Sequence, residues 1–107
     1  MAMLGRKIEF SEEKNIFLKK SRGVNFEDVL DAIGNGNLIK DIKNPGRQYS
    51  HQGLLVVIIG VYIYGVPYVY DQEKNTVFLK TVYPSRKLFK SYHKKNYEKK
   101  EKRKRTA

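Results

Sequence analysis

Residues 54–70 read LLVVIIGVYIYGVPYVY, a run of seventeen residues without a charge. A membrane-spanning helix needs about twenty predominantly apolar residues, whereas this run is shorter and is interrupted by two glycines and a proline. Its many Val, Ile and Tyr residues favour β-strands. The run therefore predicts two buried strands, 54–59 and 62–70, joined by a turn at Gly60, and it argues against a membrane span.

The segments on either side of this run have the signals of further strands and of helices. Ser11 and Asn25 are typical helix N-caps, and Gly23 is a typical helix stop. Apolar residues recur behind Asn25 at the i, i+3, i+4 and i+7 spacing of an amphipathic helix. The predicted elements are, in chain order, a strand at Lys7–Phe10, a helix at Glu12–Arg22, a helix from Phe26 to about Gly34, strands at Leu38–Ile42, Leu54–Ile59, Tyr62–Tyr70 and Thr76–Tyr83, and a helix after Ser85.

This order predicts an α+β fold, in which a short N-terminal strand and a helical hairpin pack on an antiparallel sheet with a C-terminal helix. Pro67 suits a bulge or an edge position better than a central one, because proline has no N–H to donate to the ladder. The length of 107 residues fits one domain. We expect that domain to span residues 1–95 and a basic tail to span residues 96–107.

The residue types exclude several classes of protein. There is no cysteine, so neither a disulfide framework nor a thiolate site is available, which suits a reducing cytoplasm. Two histidines are too few for a conventional zinc site, and no phosphate-binding glycine loop is present. Residues 1–7 have no apolar run after their charges and do not resemble a signal peptide. We therefore expect a cytoplasmic protein without a metal or a cofactor.

Charge is the strongest functional signal. The 22 Lys and Arg residues against 11 Asp and Glu residues give a formal charge of +11. Most of the excess lies after residue 85, where a solvated tail accounts for part of it. A surplus of this size favours a polyanionic partner, because each neutralised phosphate releases condensed counterions.

Three clusters have side chains suited to RNA chemistry. In Tyr83-Pro84-Ser85-Arg86-Lys87 a strand leads into a helix, whose free N–H groups together with Arg86 would hold a phosphate. Basic residues in the first turn of a helix oppose the helix dipole, so this motif favours phosphate binding over simple helix capping. Lys19-Lys20-Ser21-Arg22 ends a helix, and its charges are explained at least as well by the helix dipole. His51, in the loop 47–52, is suited to proton transfer, although a lone loop histidine is a weak signal.

Four tyrosines share one side of a predicted strand, at positions 62, 64, 68 and 70. Core packing and an oligomer surface explain this stripe equally well. Stacking on nucleic-acid bases ranks third.

Two of these motifs together resemble the BrnT-type toxins of bacterial toxin–antitoxin systems. The segment Lys20-Ser21-Arg22-Gly23-Val24-Asn25-Phe26-Glu27-Asp28-Val29 is similar to the stretch that joins the first two helices of that family, and Pro84-Ser85-Arg86-Lys87 is similar to its Ser-Ala-Arg-Lys stretch. The resemblance covers residues 7 to 95. The family commonly has His where this chain has Arg22.

The resemblance implies a RelE-like, metal-independent ribonuclease that inhibits growth by cleaving RNA and is neutralised by a small DNA-binding antitoxin. It nominates Lys20, Arg22, Arg86 and Lys87 as catalytic, and His51 is added from its side-chain chemistry. We expect RNA contacts from Lys19, Arg47, Tyr83, Lys90 and Lys94. The alternatives are a non-enzymatic nucleic-acid-binding protein and an inactive toxin-like subunit, and both a homodimer and a hetero-oligomer with the antitoxin stay open.

Overall fold

The computed structural model describes residues 2–3, 5–49 and 51–93. Its strands are β1 (Ala2–Met3), β2 (Arg6–Phe10), β3 (Leu38–Lys43), β4 (Gly53–Ile59), β5 (Tyr62–Asp71), β6 (Thr76–Leu79) and β7 (Tyr83–Pro84). Its helices are α1 (Glu12–Arg22), α2 (Phe26–Gly34) and α3, of which residues 86–93 are described, and a 3₁₀ turn spans Arg47–Tyr49. The predicted α+β class is confirmed, whereas the predicted tail 96–107 lies outside the described residues.

The strands form one mixed sheet in the order β1-β2-β6-β5-β4-β3, and β7 pairs with β5 beyond the end of β6. Strands β3 to β6 are an antiparallel meander, but β2 runs parallel to β6. The prediction of a purely antiparallel sheet is therefore wrong for this pair. The reason is that the helical hairpin and strands β3 to β5 all lie between β2 and β6 in the chain, and such a long connection allows parallel pairing.

The sheet is covered on both faces. Alternate residues of β4 enter different cores: Leu55 and Val57 contact the helical hairpin side, and Leu54 and Val56 contact the α3 side. All four are buried to 1% exposure or less. A strand buried on both faces is a continuous apolar run rather than an alternating one. This explains why residues 54–59 have no polar position, and it confirms the prediction of buried strands.

Local hydrogen bonds set the bounds of the helical hairpin. Ser11 Oγ accepts the N–H of Lys14 at 3.2 Å, and Gly23 ends α1 with a φ of 68° in the left-handed region that favours glycine. Asn25 and Asp28 form a reciprocal capping box at the start of α2. The predicted range of α1 and both predicted N-caps are confirmed.

The predicted tyrosine stripe divides between different environments. Tyr68 is buried in the core below the helical hairpin, and Tyr64 packs against that core. Tyr70 is 37% exposed under the guanidinium of Arg6, and Tyr62 stacks on Phe89 of α3. The core interpretation therefore holds for the two central tyrosines only.

Among the helices that the structure describes, none combines the length and the apolar character needed to cross a bilayer.

Candidate functional site

A pocket of about 450 Å³ is lined by residues of α1, β5 and β7 and of the segments that follow β3 and β6. Its volume lies in the range of small-molecule sites. Its position follows from Pro67, which pairs with Leu54 of the α3-side core, and from Tyr83, which packs against that core. The lining residues are Lys14, Asn44, Gln52, Pro67, Lys80, Thr81 and Tyr83.

A β-bulge builds one wall of this pocket. Leu79 pairs with Tyr68 and Tyr83 pairs with Gly65, so the three residues 80–82 lie opposite only two residues of β5. One residue is therefore extra, which is the definition of a bulge. Without it, alternation would place residue 83 on the helical hairpin side with Leu79; with it, Tyr83 reaches the α3 side.

Pro67 lies opposite the bulge, in an interior strand. Its carbonyl accepts the N–H of Lys80 at 2.8 Å. In an antiparallel ladder the N–H and C=O of one residue point to the same neighbour, so the donor that proline lacks would also have pointed at the bulge. The bulge position expected for Pro67 is confirmed, and the strand that contains it is central rather than at an edge.

Thr81 puts a hydroxyl group in the bulge. Its Oγ1 is buried, and it makes no hydrogen bond with any residue that the structure describes. Burying a hydroxyl without a partner costs on the order of 1–3 kcal/mol. The same residue lines the pocket.

The pocket is positively charged. Lys14 and Lys80 line it, and its described lining includes neither Asp nor Glu. Each ammonium lies over a phenyl ring, that of Lys14 at 5.3 Å from the Phe17 centroid and that of Lys80 at 5.5 Å from the Phe78 centroid. The one ion pair between two described residues joins Lys19 to Glu27, so the two pocket lysines keep their charge for a ligand.

Tyr83 forms the boundary between the pocket and α3. An added Cβ at Gly65 would lie only 2.9 Å from Tyr83 Cζ and 3.2 Å from Leu88 Cδ1, so glycine is needed for this close packing. Burial raises the pKa of the Tyr83 phenol. The phenol is therefore protonated throughout the neutral range and can donate a hydrogen bond or a proton.

The loop between β3 and β4 forms the opposite wall. Asn44 donates its backbone N–H to the Gln52 carbonyl at 3.0 Å, and the two side-chain amides lie 3.4 Å apart. The same loop contains Arg47 and His51, both exposed. These two predicted residues belong to the loop whose ends line the pocket, and neither is among its lining residues.

The predicted residues of α1 have different surroundings. Lys19 Nζ lies 2.8 Å from Glu27 Oε1, and this hydrogen bond raises the pKa of Lys19 while it lowers that of Glu27. Lys20 is exposed. Arg22 reaches across the molecule, and its guanidinium donates to the Val82 carbonyl at 2.9 Å, directly before Tyr83. Of the three, Arg22 is connected to the pocket wall.

The predicted residues of α3 come shortly after Tyr83, which lines the pocket. Ser85 accepts the N–H of Leu88 at 3.1 Å, which confirms it as the helix cap. Arg86, Lys87 and Lys90 are exposed. Helix α1, which contains Lys20, packs on the other face of the sheet from α3. The sheet therefore separates the basic motif of α1 from that of α3, and the hydrogen bond of Arg22 to Val82 connects them. Lys94 lies outside the described residues.

The sequence interpretation missed most of the pocket lining: Lys14, Asn44, Gln52, Lys80 and Thr81. One signal was available, because Pro67 inside a strand predicts a bulge opposite it. The sequence did not single out Lys14 and Lys80, since nothing in it indicates which of the many basic residues line one pocket in the fold. No group of three or more His, Asp or Glu side chains able to hold a metal ion occurs within the described ranges.

Comparison of the chain with protein-family models, with curated proteins and with solved structures finds no match.

Proposed function

We propose that this protein is a metal-independent ribonuclease with a RelE/BrnT-like fold, the toxin of a bacterial toxin–antitoxin pair that acts on RNA in the cytoplasm. The observation that carries the proposal is the pocket, whose described lining includes two lysines, a threonine and a tyrosine but no carboxylate. Such donors suit the charge that develops on a phosphate during cleavage. The net charge of +11 adds long-range attraction for RNA.

The proposed reaction is an internal transesterification. The ribose 2′-oxygen attacks phosphorus, and His51, from the loop between β3 and β4, accepts the 2′-hydroxyl proton. Lys14, Lys80 and the Thr81 hydroxyl stabilise the negative charge on the phosphorane. The bond from phosphorus to the 5′-oxygen then breaks, and Tyr83 gives that oxygen a proton, since even a phenol of raised pKa is far more acidic than an alcohol. The products are a 2′,3′-cyclic phosphate and a free 5′-hydroxyl.

The biochemical test is cleavage of a 5′-labelled single-stranded RNA by the purified chain in excess EDTA. We expect fragments that end in a cyclic phosphate, and a loss of at least a hundredfold in rate for Lys14→Met combined with Lys80→Met. The matched control is Lys40→Met combined with Lys74→Met, which removes two exposed charges away from the pocket. Equal rates for the two double variants, or cleavage abolished by EDTA, would contradict the proposal.

The cellular test is growth after induction of the chain in bacteria, alone and together with the small open reading frame beside its gene. We expect arrest that the neighbour relieves, as a cognate antitoxin would. Arg86→Ala is expected to abolish both arrest and cleavage while the protein stays folded. A folded Arg86→Ala protein that still arrests growth would remove this residue from the site.

A second candidate function is nucleic-acid binding without cleavage. The exposed cations Arg86, Lys87 and Lys90 on α3 favour it, because they continue towards the basic C-terminal residues. Deletion of residues 94–107 separates the two functions. A pure binder loses most of its affinity and has a shallower salt dependence, whereas the ribonuclease keeps its cleavage.

A further inference from the structure

A second pocket adjoins the pocket of the candidate site, which we call the cationic pocket. The second pocket measures about 390 Å³ and is lined by residues of β2, β5 and β6 and of the segments that follow β5 and β6. Lys80 lines both pockets, so a single lysine separates them. A ligand that Lys80 holds in the cationic pocket can therefore extend directly into the second pocket.

The second pocket lies on the face of the sheet opposite the helical hairpin. Ile8, Val77 and Leu79 pack in the core on the hairpin side. Because alternate residues of a strand point to opposite faces, Glu9 and Phe78 point to the other face. The core below α3 contains residues of β3, β4, β5 and β7 but none of β2 or β6. The described part of α3 therefore leaves this part of the face open, and the second pocket forms there.

The floor of the second pocket is a row of three side chains on adjacent strands. Phe78 pairs with Glu9 on one side and with Val69 on the other. Phe78 and Val69 are half-buried, whereas Glu9 is exposed. An apolar surface with a carboxylate at its border matches a nucleobase, which is apolar on its faces and has hydrogen-bonding groups along its edge.

Glu9 is the carboxylate of this pocket that is left for a ligand. Asp71 also lines the pocket, but its Oδ1 accepts the backbone N–H groups of Glu73 and Lys74 at 3.1 and 3.2 Å and so stabilises the turn after β5. Within the described part of the chain, Glu9 has neither an ion-pair partner nor a side-chain hydrogen bond. An ionised carboxylate accepts hydrogen bonds and donates none, so Glu9 favours a ligand with N–H groups.

We propose that the second pocket binds a nucleobase next to the phosphate in the cationic pocket, and that Glu9 selects a base with an exocyclic amino group, cytosine before uracil. The cytosine amino group donates a hydrogen bond to a carboxylate. Uracil has a carbonyl oxygen at the same position, which the carboxylate repels. The identity of the ligand as RNA rests on the proposed function.

Lys80 couples the two pockets in this proposal. Its ammonium lies over the Phe78 ring, 5.5 Å from the centroid. Such a contact is weak at an exposed site, and the four-carbon stem of lysine is flexible. When the ammonium turns from the ring to a phosphate in the cationic pocket, the Phe78 ring is uncovered for the base.

The test compares two short oligonucleotides, one of cytidine and one of uridine, in which fluorine replaces every 2′-hydroxyl. They have the same charge and cannot be cleaved through a 2′-oxygen, so their affinities differ only through the bases. We expect the full chain to bind the cytidine strand about tenfold more tightly. Equal affinities would overturn the proposal.

Two variants assign the preference to a residue. Glu9→Gln should reduce the ratio of the two affinities to about one, because an amide both accepts and donates hydrogen bonds. Glu73→Gln is the matched control, since it removes the same charge from an exposed residue outside the pocket lining and should keep the ratio. A ratio that Glu9→Gln leaves unchanged, or that both variants lower equally, would overturn the role of Glu9.

A modified base tests the same contact without a protein variant, in case Glu9→Gln fails to fold. A strand of N4,N4-dimethylcytidine has no amino hydrogen to donate and should bind as weakly as the uridine strand. Binding as tight as that of the cytidine strand would overturn the proposed hydrogen bond.

Cleavage of the corresponding 2′-hydroxyl strands is measured separately. A preference for cytidine without cleavage contradicts the ribonuclease but supports the base site. Cleavage without a preference for cytidine contradicts the base site and leaves the ribonuclease standing.

Discussion

At the scale of single residues, Thr81 has a side chain that folding alone does not favour. Valine has the same shape and would fill the same space without burying a hydroxyl. The bulge nevertheless holds the Thr81 hydroxyl in the pocket wall, where it has no partner among the described residues. A residue that costs stability while it lines a cationic pocket is typical of functional sites.

We therefore predict opposite effects of Thr81→Val on stability and on activity. The free energy of unfolding should rise by about 1 kcal/mol, because the unpaired hydroxyl is removed, while RNA cleavage falls about tenfold or more. Thr76→Val is the control, since Thr76 is also buried but its hydroxyl donates to the Lys74 carbonyl at 3.1 Å. Urea unfolding and cleavage rates measure the two effects. Destabilisation by Thr81→Val would show that its hydroxyl has a structural partner.

Tyr68 gives a prediction about alkaline pH. Burial, together with a 2.6 Å hydrogen bond to Asp41, raises its pKa from 10.0 to about 12. The folded state thus holds the phenol proton more tightly than the unfolded state does. The resulting stabilisation is complete below pH 10 and is lost between pH 10 and 12, with a change on the order of 2 kcal/mol.

The measurement is urea unfolding of wild type and Tyr68→Phe from pH 8 to pH 12. At pH 8 the variant should be less stable by about 1 kcal/mol, because the bond to Asp41 is lost. The difference should shrink as the pH rises and then reverse. A difference that is constant over this range would contradict the raised pKa.

At the scale of elements, the helical hairpin depends on one buried polar side chain. Asn15 is 1% exposed. Its Oδ1 accepts the N–H of Phe26 at 2.8 Å, and its Nδ2 donates to Glu27 at 3.1 Å. It therefore connects the middle of α1 to the first turn of α2, where N–H groups have no partner within the helix.

Replacing Asn15 by leucine should lower the free energy of unfolding by about 2–3 kcal/mol, because it leaves the Phe26 N–H buried without an acceptor. Ser21→Ala is the control on the same helix, since the exposed Ser21 hydroxyl only bonds back to the Phe17 carbonyl. Thermal or urea unfolding measures both variants. A loss below 0.5 kcal/mol for Asn15→Leu would mean that another group takes over the acceptor role.

Elements governed by local signals could be predicted from the sequence. Ser11, Gly23 and Asn25 set the bounds of the helices through contacts within a few residues, and the uncharged run gave both buried strands. The parallel pairing of β2 with β6 could not be predicted, because it depends on contacts between distant segments. The different environments of the four tyrosines also could not be predicted, because the stacking of Tyr62 on Phe89 depends on a contact between distant segments.

The candidate site was predicted in part. Tyr83 was recognised, because a strand-to-helix junction with basic residues is a local pattern, and the structure places it in the pocket wall. Lys14 and Lys80 were missed, because they are far apart in the chain and only the fold brings them to one pocket. The roles of Lys20, Arg22, His51, Arg86 and Lys87 stay predictions.

At the scale of the whole molecule, the charge of +11 predicts RNA binding that weakens steeply with salt. Each phosphate contact on a single strand contributes about 0.7 to the slope of log affinity against log salt. Removing both pocket lysines by Lys14→Met and Lys80→Met should therefore lower the slope by about 1.4. Fluorescence anisotropy of a labelled RNA between 50 and 200 mM salt measures it. An unchanged slope would mean that neither lysine contacts phosphate.

The parallel pair of β2 and β6 also has a consequence for biosynthesis. Lys7 pairs with Thr76, about 70 residues later, and such distant contacts form late. While the chain emerges from the ribosome, β2 waits for its partner until nearly three quarters of the protein has been synthesised. Lys14 meets Lys80 only after that moment. A nascent chain released before residue 80 lacks Lys80, Thr81 and Tyr83 of the pocket lining, so the proposed activity requires synthesis to continue beyond them.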